Sequence, residues 1–175
     1  EMLAKEFNLH LCEDFYPFMV PGIVGDGLNM MWKAGAMKYG AGIEAIYQLP
    51  DNLNWFLLDA VLRQPNLLIN QRGERFEDRM GNTTFTGNAI ALQPGNYAYC
   101  IMDGNILKHY KKNGPDIEDI VHPQEAFFGF EQQAALAVEQ GYEAYFEAET
   151  LDELAEKLQM DPEVLKNTVD EYNEM

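Results

Sequence analysis

Residues 149–173, "ETLDELAEKLQMDPEVLKNTVDEYN", carry two helix starts in close succession, and no other stretch restricts the fold as tightly. Thr150 followed by Glu153 forms a capping box, in which the hydroxyl accepts from a first-turn N–H and the carboxylate reaches back to another. Asp161 marks the second start. Pro162 follows at the first helical position, where its missing N–H costs nothing, and Val164, Leu165, Thr168 and Val169 fall on one face.

Upstream the signals mix. "LNMMWKAGAMKYG" places Leu28, Met31, Trp32 and Ala36 at helical spacing, with Gly40 as a stop. "AGIEAIYQLP" alternates as a strand does, up to Pro50. "NWFLLDAVLRQP" is apolar at both periods and leaves helix and strand open. "NLLINQRGERFED" predicts a β-hairpin, turning at Gln71-Arg72-Gly73 and returning through Phe76. "TGNAIALQPG" predicts a short helix, "NYAYCIMD" a buried strand and "YEAYFEA" one more strand, while the run from Glu125 predicts a helix ending at Gly141. Helices and short strands alternate without a regular βαβ rhythm, so the class is α+β, in one domain over 1–175.

The charge balance excludes some functions. Twelve basic residues stand against 29 acidic ones, a net charge of −17, and such a surface repels nucleic acid and anionic membranes. No apolar run approaches the length of about 18 residues that a bilayer span needs. Cys12 and Cys100 form no framework, His10, His109 and His122 are scattered, and only His122 and Glu125 have a spacing that could share a helix face, so no metal site is expected. The chain contains no serine, which sets serine-hydrolase chemistry aside.

All four arginines, Arg63, Arg72, Arg75 and Arg79, lie in "VLRQPNLLINQRGERFEDR". A guanidinium fork matches a carboxylate and stays charged at any working pH, so the run suits an anionic small-molecule substrate. Arg72 and Arg75 flank the turn and are expected to pair in solvent with Glu74, Glu77 or Asp78. Arg63 and Arg79, at either end of the hairpin, are better placed to converge on a cleft. Asp59, four residues before Arg63, shares its face if the segment is helical. The Gly25-Asp26-Gly27 turn permits close backbone approach to a ligand and equally suits a plain tight turn, since the third glycine of a dinucleotide fingerprint is absent.

Three stretches, in order, resemble one family. "GDGLNMMWKAGA", "LLINQRGERFEDR" and "FEAETLDELAEKLQMDPEVLKNTVDEYN" are similar to the Gly-Asp-Gly turn and helix, the strand and "N-x-x-G-x-R-F" hairpin, and the late paired helices of the FAD-dependent fumarate reductase and succinate dehydrogenase flavoproteins, whose relatives include urocanate reductase and ketosteroid dehydrogenases. The resemblance implies the capping, substrate-side domain of a larger FAD-binding protein. Residues 1–40 and 165–175 would border the FAD-binding domain of the same polypeptide. It implies an oxidoreductase acting on a carbon–carbon bond of a small carboxylated substrate, with the fragment inactive alone and cytoplasmic location as the default. Gly25, Asp26 and Gly27 would meet FAD, and Gln48, Asn82 and Thr83 the substrate.

At the chemistry the residues depart from the family pattern. The family's substrate histidine falls on Leu49 in "YQLPD", and its proton-donating arginine near Thr83 in "GNTTFTG". Its relay "E-A-V-R-G" becomes "DAVLRQP", so that Asp59 keeps the carboxylate and Arg63 is displaced by one position. Asp59, Arg63 and Arg79 are therefore the catalytic candidates: either Arg79 takes the acid role from a shifted loop, or the parent enzyme uses another substrate and donor. The rival reading is a non-catalytic ligand-binding or interaction domain that has kept the fold and lost the chemistry.

Overall fold

The computed structural model describes residues 20–40, 46–51, 53–77, 83–118 and 121–175. The chain divides into two units, Glu1–Glu44 and Ala45–Met175.

In the first unit, helix α1 spans Asp26–Lys33, with Gly25 as its N-cap in the left-handed region at φ 92. The helix stops before the Gly40 expected to end it. Gly35 adopts φ 94 and donates to the Trp32 carbonyl at 3.0 Å, while Ala36 donates to Met31 at 3.0 Å, a paired C-terminal closure that only a left-handed residue makes cheaply. No residue of α1 is buried, and the Lys38 ammonium sits 4.6 Å over the Trp32 ring.

The second unit holds α2 (Phe56–Asp59) with a 3-10 turn (Ala60–Arg63), β1 (Leu67–Ile69), α3 (Thr83–Ala91) and a 3-10 turn (Pro94–Asn96). It continues through β2 (Tyr99–Ile101), α4 (Gly104–Asn113), α5 (Glu125–Phe128), α6 (Phe130–Glu139), α7 (Leu151–Leu158) and α8 (Pro162–Asn173). This is the mixed helix and short-strand architecture of an α+β chain. Strands β1 and β2 pair antiparallel, Leu67 opposite Ile101 and Ile69 opposite Tyr99.

The two late helices follow from their caps. Thr150 Oγ1 accepts from the Glu153 N–H at 3.2 Å, and Glu153 returns to the Glu149 N–H at 3.0 Å. Asp161 Oδ1 accepts from Glu163 and Val164 at 2.9 and 3.4 Å. Replacing Asp161 by alanine is expected to cost about 0.5–2 kcal/mol, read as a lower urea midpoint at unchanged slope.

Elsewhere the outcome differs from the sequence reading for identifiable reasons. The hairpin's return is a single bridge, Ile69 to Arg75, because the Asn70 side chain closes the turn: its Oδ1 accepts from Arg72 N–H at 2.9 Å and Glu74 N–H at 3.1 Å. The long partner of β1 is instead the 99–101 strand. Gly73, at φ 79, brings the turn onto α8, where an added Cβ would lie 3.5 Å from the Leu165 nitrogen.

The expected helix from Glu125 is broken at Gly129. A Cβ there would lie 2.5 Å from Leu57 Cδ1, so the gap between α5 and α6 admits α2. Residues 142–148 form no strand. Their alternation records aromatic rings turning inward, with Tyr142 stacked on Trp55 at 4.7 Å and Phe146 edge-on to Tyr99 at 6.0 Å. Of the strand expected over 41–50, residues 41–45 lie outside the described residues, and 46–49 join no ladder; the Leu49 N–H is taken by a side chain, that of Asp59. β2 is half-buried rather than fully buried.

Two apolar clusters hold the second unit. Trp55, Leu58, Val61, Leu107, Tyr110, Phe127 and Phe130 pack α2 against α4, α5 and α6. Leu67, Ile69, Ala155, Leu158, Met160 and Leu165 pack one face of β1 on α7 and α8.

Candidate functional site

The short helix α2 owes its start to a residue far along the chain. Gln133 Oε1, from α6, accepts from the Leu57 and Leu58 N–H groups at 2.7 and 3.0 Å, satisfying the donors that a helix N-terminus leaves open. Its Nε2 donates to the Asn54 carbonyl at 3.2 Å. The helix so fixed carries Asp59 into the interior, where it is 1% exposed.

A carboxylate buried to that degree must be compensated. Its Oδ1 accepts from the Leu49 N–H at 2.8 Å, and its Oδ2 lies 3.5 Å from Nε2 of His122, itself 2% exposed. The imidazole is stacked on Phe56 at 4.5 Å with 27° between the rings. Asp59 thus joins segment 46–50, helix α2 and the residues leading into α5. Tyr47 Oη donates to the Leu62 carbonyl at 3.2 Å and Tyr142 Oη to the Pro50 carbonyl, so the segment is held along its length.

The charge of Asp59 is felt nearby. Burial first, then the carboxylates of Asp51 and Asp59, push the Tyr142 phenol up to about 12. The unfolded chain, with a phenol near its ordinary value of about 10, loses that proton first, so the contribution is complete below pH 10 and is lost between about pH 10 and 12. Tyr142→Phe is expected to flatten the fall in stability over that interval, measured by urea unfolding at a series of alkaline pH values.

Arg63 ends the 3-10 turn after α2, and its guanidinium lies 4.7 Å over the Tyr47 ring. Among the described residues no ion pair joins it to Asp59, although the two stand on consecutive turns. Gln48 is exposed on the 46–50 segment. Thr83 opens α3, while Arg79 and Asn82 lie outside the described residues. Gly25, Asp26 and Gly27 open α1 in the first unit.

The other two arginines divide. Arg72 pairs with Glu74 at 2.7 Å in solvent, as expected of a turn residue, and Asn70 and Arg72 together lower the Glu74 carboxyl. Arg75 is half-buried: its Nε donates to the Glu77 carbonyl at 3.1 Å and its guanidinium lies 5.6 Å over Tyr172 of α8, while Asp78 lies outside the described residues.

His122 is the residue that sequence reasoning weighed only as a metal ligand. Its place beside Asp59 comes from α5 packing on α2, which no local pattern announces. Among the described residues no three His, Cys, Asp or Glu side chains converge as a metal site would require, and no helix is long and apolar enough to cross a membrane.

The chain matches no protein-family model. It is similar to the NADH:acrylate oxidoreductase of Vibrio harveyi, 27% identical over 176 residues that cover 98% of this chain and 16% of that protein. It is also similar to the vinyl phenol reductase of Lactiplantibacillus plantarum, 26% identical over 163 residues covering 86% of this chain and 33% of that protein. The chain therefore spans a third or less of the length of these relatives.

Proposed function

We propose that the chain is the substrate-side, capping part of an FAD-dependent reductase that saturates a carbon–carbon double bond in a small, conjugated and carboxylated substrate. One observation carries the reading: nearly the whole chain is similar to parts of two proteins whose named substrates, acrylate and vinyl phenol, share a vinyl group conjugated to a polar or aromatic system. The other part of the same polypeptide is assigned the bulk of the cofactor site, and the isolated chain is assigned no activity of its own.

The residues at 25–27 fit a flavin on this chain's side. Among the described residues no side chain caps α1, and none of their atoms lies within 4 Å of the point where a Cβ on Gly27 would sit, so they leave its backbone N–H groups open to a polar ligand edge. Reduced FAD, when bound, supplies the hydride for one alkene carbon. The second carbon needs a proton, which we assign to Arg79, with Asp59 as the carboxylate that resupplies it. An arginine releases a proton only within such a relay, because its pKa exceeds about 12. Arg63 is assigned to the substrate's negative charge, and Gln48, Asn82 and Thr83 to substrate binding.

The test uses the full-length protein. Its flavin is reduced anaerobically and mixed with acrylate, vinyl phenol and a panel of other enoates. Rapid reoxidation with stoichiometric saturated product is the expected result; no reoxidation by any conjugated alkene defeats the proposal. Tight stoichiometric FAD binding by residues 1–175 alone would defeat the capping assignment.

A further inference from the structure

We infer that His122 is the proton-entry residue of this site, handing a proton to Asp59, and the inference rests on the reading of Asp59 as the relay carboxylate given above. Asp59 is 1% exposed and cannot draw protons from bulk water by itself. Some neighbouring group must exchange them. Oδ1 is engaged by the Leu49 N–H at 2.8 Å, a backbone donor that keeps its proton through any turnover, which leaves Oδ2 as the oxygen to be loaded. Among the described residues, His122 is a titratable side chain that faces Oδ2, with Nε2 at 3.5 Å.

Chemistry favours an imidazole in that position. It has two nitrogens, so it can receive a proton at one and release it at the other, and its ordinary titration lies near neutrality. A guanidinium holds its proton too tightly for the task, and Arg63, the displaced counterpart in the sequence, is packed over Tyr47. The ring is also near the surface without being open to it. It lies beneath Phe56, which is 37% exposed, and next to Val121, which is 55% exposed, so a small displacement of one aromatic ring admits water.

The step balances simply. The Nε2–H bond of the imidazolium breaks, its electron pair stays on nitrogen, and the proton joins Asp59 Oδ2 to give the neutral acid. The ring is left neutral with its hydrogen on Nδ1; it turns to present Nε2 to the water that movement of Phe56 admits, takes a proton there from hydronium, and turns back as the imidazolium. The 3.5 Å separation is loose for transfer and is expected to shorten in the loaded enzyme, as resting contacts of this kind commonly do.

Three measurements decide the matter. In the full-length protein, His122→Gln is expected to lower kcat at least about tenfold while KM and the rate of flavin reduction by the electron donor stay unchanged, because only the proton supply is impaired. In the wild type, kcat measured across mixtures of H2O and D2O is expected to curve, since more than one proton is in flight; a straight line would overturn the relay, and this measurement needs no variant to fold. In 15N-histidine-labelled chain, the Nε2 resonance of His122 is expected to move on Asp59→Asn, with no response if the two groups do not meet in solution. Should Asp59→Asn lower kcat while His122→Gln does not, the inference falls and the reading of Asp59 stands. Full activity in Asp59→Asn removes both.

Discussion

In the full-length protein, the proposed function predicts that Arg79→Ala lowers kcat by about 10²–10⁴-fold, the contribution of a positioned proton donor, with the flavin-reduction half-reaction untouched. Arg72→Ala is expected to leave kcat where it was. The contrast is the informative part, because both side chains come from one arginine-bearing stretch and carry the same charge. Arg72 is committed to Glu74, with 65% and 49% of the two side chains exposed, and a solvent pair of that kind contributes under about 1 kcal/mol. Steady-state kinetics on the two variants suffice. Equal, small losses would make Arg79 another surface charge and would leave the proton donor to be sought elsewhere.

Asp59→Ala has the second large expected effect, and here the cost falls on the fold as well as on turnover. Removing the buried carboxylate leaves the buried donor it accepted from without a partner, a loss of about 1–3 kcal/mol in comparable cases. The Leu49 N–H loses its acceptor at 2.8 Å, and the imidazole of His122 loses the carboxylate it faces. Urea unfolding of the chain should show the loss directly. Asp59→Asn, which keeps an acceptor for Leu49 and removes the charge, is expected to recover part of the stability and none of the relay. A loss below about 1 kcal/mol for Asp59→Ala would mean that the carboxylate is hydrated rather than buried.

What could be read from the sequence was what is decided locally. The caps at Thr150 and Asp161 act within their own first turn, so residues 149–173 announced two helices and formed them. Helix α4 has an equally local start, Asp103 accepting from Asn105 and Ile106 at 2.9 and 2.8 Å, and went unread because "LKHYKK" offered few apolar positions to draw the eye. The break at Gly129 was illegible, since its cause is a leucine from α2. The alternation in "YEAYFEA" misled because inward-facing aromatics on an irregular segment leave the same trace as a strand. Asp59 was singled out through a motif and through its place before Arg63, while its burial and its bond to the Leu49 N–H come from the fold. His122 was not, because the contact is made by helix packing rather than by spacing.

Gln133 has a consequence for dynamics. Four-residue helices ordinarily fray, and their amides exchange with solvent almost freely. In α2 the amides of Leu57 and Leu58 are held by a side chain of α6, so they should exchange only when α6 itself detaches. This four-residue helix would then report the slowest opening around it, and Gln133→Ala would release those two protons to deuterium while leaving the protection of α7 and α8 intact.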